Sequence, residues 1–104
     1  MGKGAVEKEN MLKKTFDEIA VQRVWEKGTI VPSLNPSSFR KDRCGAIIQR
    51  FQHGIRDSKY GWEIHHIIPE SHGGSDNLDN LIPLQWENNA ETSDSTTLKC
   101  KVRS

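Results

Sequence analysis

The chain has 104 residues, 34% of them hydrophobic and 28% charged, with a formal net charge of +1. Such a chain is one small domain with a thin core, which a bound metal ion, nucleic acid or partner could help to hold. No stretch approaches the roughly 20 apolar residues of a membrane span, and the opening MGKGAVEKENMLKK lacks a signal peptide's apolar centre, so no membrane association is expected and an intracellular, cytoplasmic location is.

Residues 1–14 are polar and read as a mobile N-terminus, leaving residues 15–104 as a single domain. From Thr15 to about Lys27 the residues Phe16, Ile19, Ala20 and Val24 recur at helical spacing, with Thr15 as the N-cap and Gly28 as the stop. Trp25 is expected to anchor this helix. Residues 30–38 contain Pro32, Asn35 and Pro36 and read as an irregular connection. Arg40, Lys41, Asp42 and Arg43 form a compact basic cluster, and Ala46–Phe51 is a β-like run. His53-Gly54 signals a turn. Trp62–Ile68 is the next strand, ended by Pro69; 69–80 is a loop rich in Gly and Asx, with Gly73 and Gly74 serving its tight part. Leu81–Leu84 is a short strand. Trp86 to about Asp94 reads as a helix with Trp86 and Ala90 on its inner face. Leu98, Cys100 and Val102 alternate, which suggests an edge strand in the tail. The three tryptophans read as core residues rather than base-stacking platforms. Cys44 and Cys100 form no CxxC pair, which excludes a four-thiolate zinc site, and outside a secretory context they are expected to be reduced.

Charge is unevenly spread. Residues 1–60 carry twelve Lys or Arg against seven acids, and residues 61–104 carry three against seven. Bases gathered ahead of a site and acids gathered around it suit an enzyme that holds a polyanion on one side. Arg40, Lys41, Arg43 and Arg50 are the candidates for backbone phosphate contacts.

The run Trp62-Glu63-Ile64-His65-His66-Ile67-Ile68-Pro69 carries the chemistry. One neutral imidazole can hold a metal ion while its neighbour takes a proton at physiological pH. Adjacent residues on a strand point to opposite faces, so His65 and His66 diverge. A helix laid over one face could return a second ligand to His65. The combination points to metal-assisted hydrolysis of a nucleic-acid phosphodiester.

The stretch Asp42 to about Asp94, and above all GWEIHHIIPESHGGSDNLDNLIPLQWENN, resembles the HNH nucleases of bacteria and phages. The resemblance implies an α+β fold: a ββα-metal core (residues 61–94), here with an N-terminal helix and an extra short strand. It implies that His65 is a metal ligand, that His66 is the general base, and that Asn80 completes the catalytic set by bracing the loop between the strands. Asn89, nine residues after Asn80, falls on the second ligand position. Glu87 could add an acidic ligand, and His72 stands where relatives often carry a phosphate-contacting base. The implied cofactor is one divalent ion, Mg²⁺ first, with Mn²⁺, Zn²⁺ or Ni²⁺ open to the His65 nitrogen. The implied substrate is DNA, double-stranded for preference, cut to a 5′-phosphate and a 3′-hydroxyl, with a homodimer or partner protein needed for paired cuts. Gln85 and Asn88 occupy positions where many relatives place zinc-binding cysteines, so no structural zinc is expected. Ala90-Glu91-Thr92 replaces the basic residues common there. That departure keeps a second reading open, an HNH-fold nucleic-acid-binding module with weak or no cleavage in a phage or restriction assembly.

Overall fold

The computed structural model describes residues 15–104; the mobile terminus expected over 1–14 lies outside the described residues. Helix α1 spans Glu18–Trp25. Its N-cap is Asp17, not Thr15: the backbone at Asp17 is extended, and its Oδ1 accepts the Ala20 N–H at 2.8 Å, so the carboxylate both satisfies an orphan donor and suits the helix dipole. The buried stripe is Val21, Val24 and Trp25. Ile19, expected on the inner face, is 71% exposed.

Strands β1 (Phe39–Lys41) and β2 (Ile47–Gln49) pair antiparallel. The turn between them is organised by buried Asp42, whose Oδ1 accepts the N–H groups of Cys44 and Ala46. The extra strand therefore arrives as half of a hairpin, and half of the basic cluster is strand. The β-like run stops at Gln49, where a 3₁₀ turn, Arg50–Gln52, begins.

Strands β3 (Trp62–His66) and β4 (Leu81–Gln85) pair antiparallel, with His65 opposite Ile82 and His66 opposite Leu81. Helix α2 (Trp86–Thr92) follows without a break, the Gln85 side chain accepting the N–H groups of Glu87 and Asn88. Among the described residues the architecture is thus mixed α/β, two helices and two small antiparallel hairpins, with β3, β4 and α2 as the ββα unit. Pro83 sits mid-strand, where its missing N–H is tolerable only on an open edge. The same edge is blunted on either side of it: Lys27 Nζ donates to the Leu81 carbonyl, and Asp42 Oδ2 accepts the Gln85 N–H, which removes pairing groups from a potential aggregation edge.

The core is Val21, Val24, Trp25, Ile48, Trp62 and Leu81, flanked by Phe16 and Ile64. The rings of Trp25 and Trp62 lie 5.4 Å apart, and the Trp25 indole N–H donates to the Pro36 carbonyl. Helix α2 buries Asn88 and Thr92 rather than Trp86 and Ala90; Ala90 is exposed. The tail is not a strand. Its backbone groups go to side chains instead: Asn88 Oδ1 accepts Lys101 and Val102 N–H, and Thr92 Oγ1 accepts Lys99 N–H. Cys44 and Cys100 are joined by a disulfide, against the expectation of free thiols. That expectation rested on compartment alone; the fold brings their Cα atoms to 5.5 Å across 56 residues of sequence. Among the described residues no helix is long and apolar enough to cross a membrane.

Candidate active site

Strand alternation divides β3 into two faces. Glu63 and His65 share the face covered by α2, whereas Trp62, Ile64 and His66 share the other, where Phe16 approaches the His66 ring at 6.1 Å. On the α2 face, His65 Nδ1 and Asn89 Oδ1 are 2.9 Å apart. Asn89 Nδ2 donates to Glu63 Oε1 at 2.8 Å, and Glu63 is held by Arg56 through two bonds of 2.7 and 2.9 Å. The result is a chain, Arg56 to Glu63 to Asn89 to His65. Because Glu63 takes the amide nitrogen of Asn89, the amide oxygen faces the imidazole.

Electrostatics agree with this arrangement. Burial, with smaller contributions from His66 and Arg43, holds the His65 pKa below its usual value despite the bond to Asn89, so this imidazole is neutral at pH 7 with a lone pair to offer. Burial alone would raise Glu63; its bonds to Arg56 and Asn89, with the charges of Arg56 and His53, outweigh that and lower it.

On the opposite face, His66 Nε2 lies 2.7 Å from Asp76 Oδ1. Asn80 holds the loop that delivers Asp76. Its side chain accepts the Ile68 N–H at 2.8 Å and donates to the carbonyls of Ile68 and Ser75, while its own carbonyl accepts the Ile67 N–H. Gly74 is needed for this closure, since a Cβ there would stand 1.7 Å from the Ile68 oxygen. A cleft of about 310 Å³ is lined by Ile64, His65, His66, Glu70 and Asn89, among others. Both histidines therefore reach one cleft from the two faces of β3.

The remaining candidates are dispersed. Glu87 contacts Gln85 and Lys101, away from His65. Arg40 donates to the carbonyls of Pro36, Glu26 and Gly28, and Arg50 is buried against Gln22 and Glu18. Both arginines, expected as phosphate contacts, are hydrogen-bonded within the fold. Lys41 and exposed Arg43 line a groove of about 380 Å³ beside β4. His72 is exposed on the 3₁₀ turn Glu70–His72. Sequence reasoning missed Glu63, Arg56, Glu70 and Asp76. Only Glu63 carried a signal, since it stands two residues before His65 on a strand and so must share its face.

The His65–Asn89 pair fits a metal ion. Two cis ligands at about 2.1 Å in an octahedral shell stand about 3.0 Å apart, close to the observed separation of these two donor atoms. Both donors are neutral, which leaves charge and coordination sites for phosphate oxygens and water.

Residues 49–93 match the HNH endonuclease family. These residues are an HNH domain. They contain β3, β4, α2, both histidines, Asn80 and Asn89. A stretch of 32 residues is 59% identical to a protein of Enterobacteria phage T4 described as probable mobile endonuclease C. The match covers 31% of this chain and 15% of that protein, so the chain corresponds to a small part of the relative's length. No solved structure gives a significant match.

Proposed function

We propose that this chain is a divalent-metal-dependent endonuclease that hydrolyses phosphodiester bonds of double-stranded DNA, with residues 15–104 acting as one nuclease domain. The observation that carries the reading is the 2.9 Å approach of His65 Nδ1 to Asn89 Oδ1 on one face of β3 while His66 enters the same cleft from the other. His65 and Asn89 would hold the ion, Mg²⁺ in the first instance. When bound, the ion supplies charge neutralisation at the scissile phosphate and at the leaving 3′ oxygen.

The chain's own residues do the rest. His66 gives its Nε2–H to Asp76, which fixes the tautomer and leaves the Nδ1 lone pair to take a proton from the attacking water. Asp76 then stabilises the imidazolium that forms. Arg56 and Glu63 keep the Asn89 oxygen turned to the ion's position. Asn80 positions the loop that carries Asp76. Lys41 and Arg43 contact backbone phosphates, which brings DNA to the cleft without reading its sequence.

The test is incubation of the purified chain with supercoiled plasmid in Mg²⁺, Mn²⁺, Ni²⁺ or EDTA. Nicked or linear product with metal and none with EDTA is the expected outcome; intact plasmid in every metal overturns it. The inward turn of Arg40 and Arg50 favours a second reading, a nucleic-acid-binding module that does not cleave. Gel retardation in EDTA combined with intact plasmid in every metal would select that reading.

A further inference from the structure

A second group of metal-ligating side chains borders the cleft at His66 and Glu70. His66, Glu70 and Asp76 each offer a ligand atom, and these atoms lie within 4.8 Å of one another. One pair, His66 Nε2 and Asp76 Oδ1, is already at 2.7 Å. We propose that His66, Glu70 and Asp76 form a second cation site that takes Zn²⁺ or a similar transition-metal ion, and that its occupancy switches the enzyme off. The proposal rests on the reading of His66 as the general base.

Three observations support it. The donor set is one imidazole nitrogen and two carboxylates, which suits a borderline ion better than Mg²⁺. A tetrahedral shell with ligand bonds of about 2.1 Å sets ligands about 3.4 Å apart. The ligand atoms here lie within 4.8 Å of one another, so an ion opens the 2.7 Å His66–Asp76 pair and draws in the third ligand atom, on Glu70, which is exposed on the 3₁₀ turn Glu70–His72. Second, the scaffold is held in place. The Asn80 side chain ties Ile68 to Ser75, so the loop that carries Asp76 is clamped to the end of the strand that carries His66. Third, the charges differ between the two sites. His65 and Asn89 are neutral donors, so an ion there is held more weakly until a phosphate completes its shell. Glu70 and Asp76 bring two negative charges, so the second site can fill without DNA.

The consequence follows from imidazole chemistry. An ion on Nε2 forces the remaining ring proton onto Nδ1. Both ring nitrogens are then occupied, and His66 has no lone pair for the proton of water. The ion also takes Asp76 away from its hydrogen bond with the base.

The experiment is a Zn²⁺ titration of the full chain by calorimetry, with histidine-ring NMR on the same samples. The wild type should bind two Zn²⁺ ions, with the His66 Nε2 resonance shifting and its Nδ1 proton appearing. Glu70→Gln/Asp76→Asn should bind one ion and lose the His66 signature; His65→Ala/Asn89→Ala should bind one and keep it. Zn²⁺ added over saturating Mg²⁺ should slow wild-type plasmid cleavage at least tenfold and the Glu70→Gln/Asp76→Asn variant less than twofold, each against its own rate without Zn²⁺. If the wild type binds one ion and His65→Ala/Asn89→Ala abolishes it, or if the acid variant binds as many ions as the wild type, the second site does not exist. Absence of cleavage in every sample would remove the nuclease reading and with it the off-switch, while the ion count still decides whether the site is real.

Discussion

Asn88 and Asn89 are neighbours on α2 with identical side chains, and they belong to two different polar networks. Asn88 is fully buried and uses every hydrogen-bonding valence it has: Oδ1 accepts Lys101 and Val102 N–H, and Nδ2 donates to Asp42 Oδ2 and the Val102 carbonyl. It ties α2, the β1–β2 turn and the tail into a closed knot beside the Cys44–Cys100 disulfide. Asn89 is half-buried and makes two bonds, one to Glu63 and one to His65, at the edge of an open cleft. A carboxamide with no spare valence holds the fold; one with a spare lone pair beside a neutral imidazole can bind an ion. The same contrast separates buried, fully engaged Asp42 from exposed Asp76, which meets His66.

Substitutions can break one network and spare the other. The largest expected effect is His66→Ala. General-base catalysis contributes about 10²–10⁴-fold, so plasmid cleavage should fall by at least about 10² while the melting temperature and DNA retardation stay unchanged. Cleavage at the parental rate would remove His66 from the mechanism. Breaking the knot should do the reverse. Closure of a 56-residue loop by the disulfide is worth about 4 kcal/mol in the chain-entropy account, so Cys44→Ser/Cys100→Ser should melt well below the wild type. At a temperature where the variant is folded it should cut like the parent. Loss of cleavage there, with native circular dichroism, would show that the two networks are not separable. Glu63→Ala tests the link inside the cleft network. Outer-shell partners of metal ligands typically cost about 10–100-fold in affinity when removed. Metal affinity by calorimetry should fall by that order, and Glu63→Gln, which retains an acceptor for Asn89, should recover part of it. An unchanged affinity in Glu63→Ala would mean that Asn89 needs no orienting partner.

Legibility from sequence also divides along this line. The cleft pair could be anticipated because the resemblance to the HNH nucleases supplied the spacing to Asn89, and strand alternation with a helix over one face makes its meeting with His65 physically possible. Trp25 and Trp62 are core for an equally local reason, bulk on an amphipathic element. The knot was invisible. Its members come from the turn after β1, the first turn of α2 and the tail, and no periodicity links Asp42, Asn88 and Val102. For the same reason the apolar alternation of Leu98, Cys100 and Val102 suggested a strand, although side-chain oxygens claim the backbone donors there. The inner face of α2 was misread because it is polar, and hydrophobic pattern cannot find a buried carboxamide. Arg40 and Arg50 looked like free cations because sequence cannot show a carbonyl cage or a buried acceptor.

The smallest expected effect acts at the start of the strand that carries the cleft residues. His53 packs its ring 4.7 Å from Trp62, at the start of β3. Burial, then the charge of Arg50, lowers its pKa below 6.5, against smaller opposing contributions from Glu18 and Glu63. Below about 6.5, the ordinary value for the unfolded side chain, the unfolded chain binds a proton that the folded chain refuses. Stability is therefore full at higher pH and is lost as pH falls from about 6.5 toward the lowered folded value. His65 acts in the same direction, whereas Glu63, also lowered, adds its loss only as pH falls through the carboxylate range. In EDTA, the melting temperature should decline between about pH 7 and pH 5, the interval set by the ordinary histidine value and the range below it. His53→Gln should flatten part of that slope without changing cleavage at pH 7.5. A variant whose melting temperature follows the wild-type pH curve would show that His53 protonates as easily in the folded chain as in the unfolded one. The destabilisation would then have to come from the cleft, where His65 is the group left with a lowered value in that range.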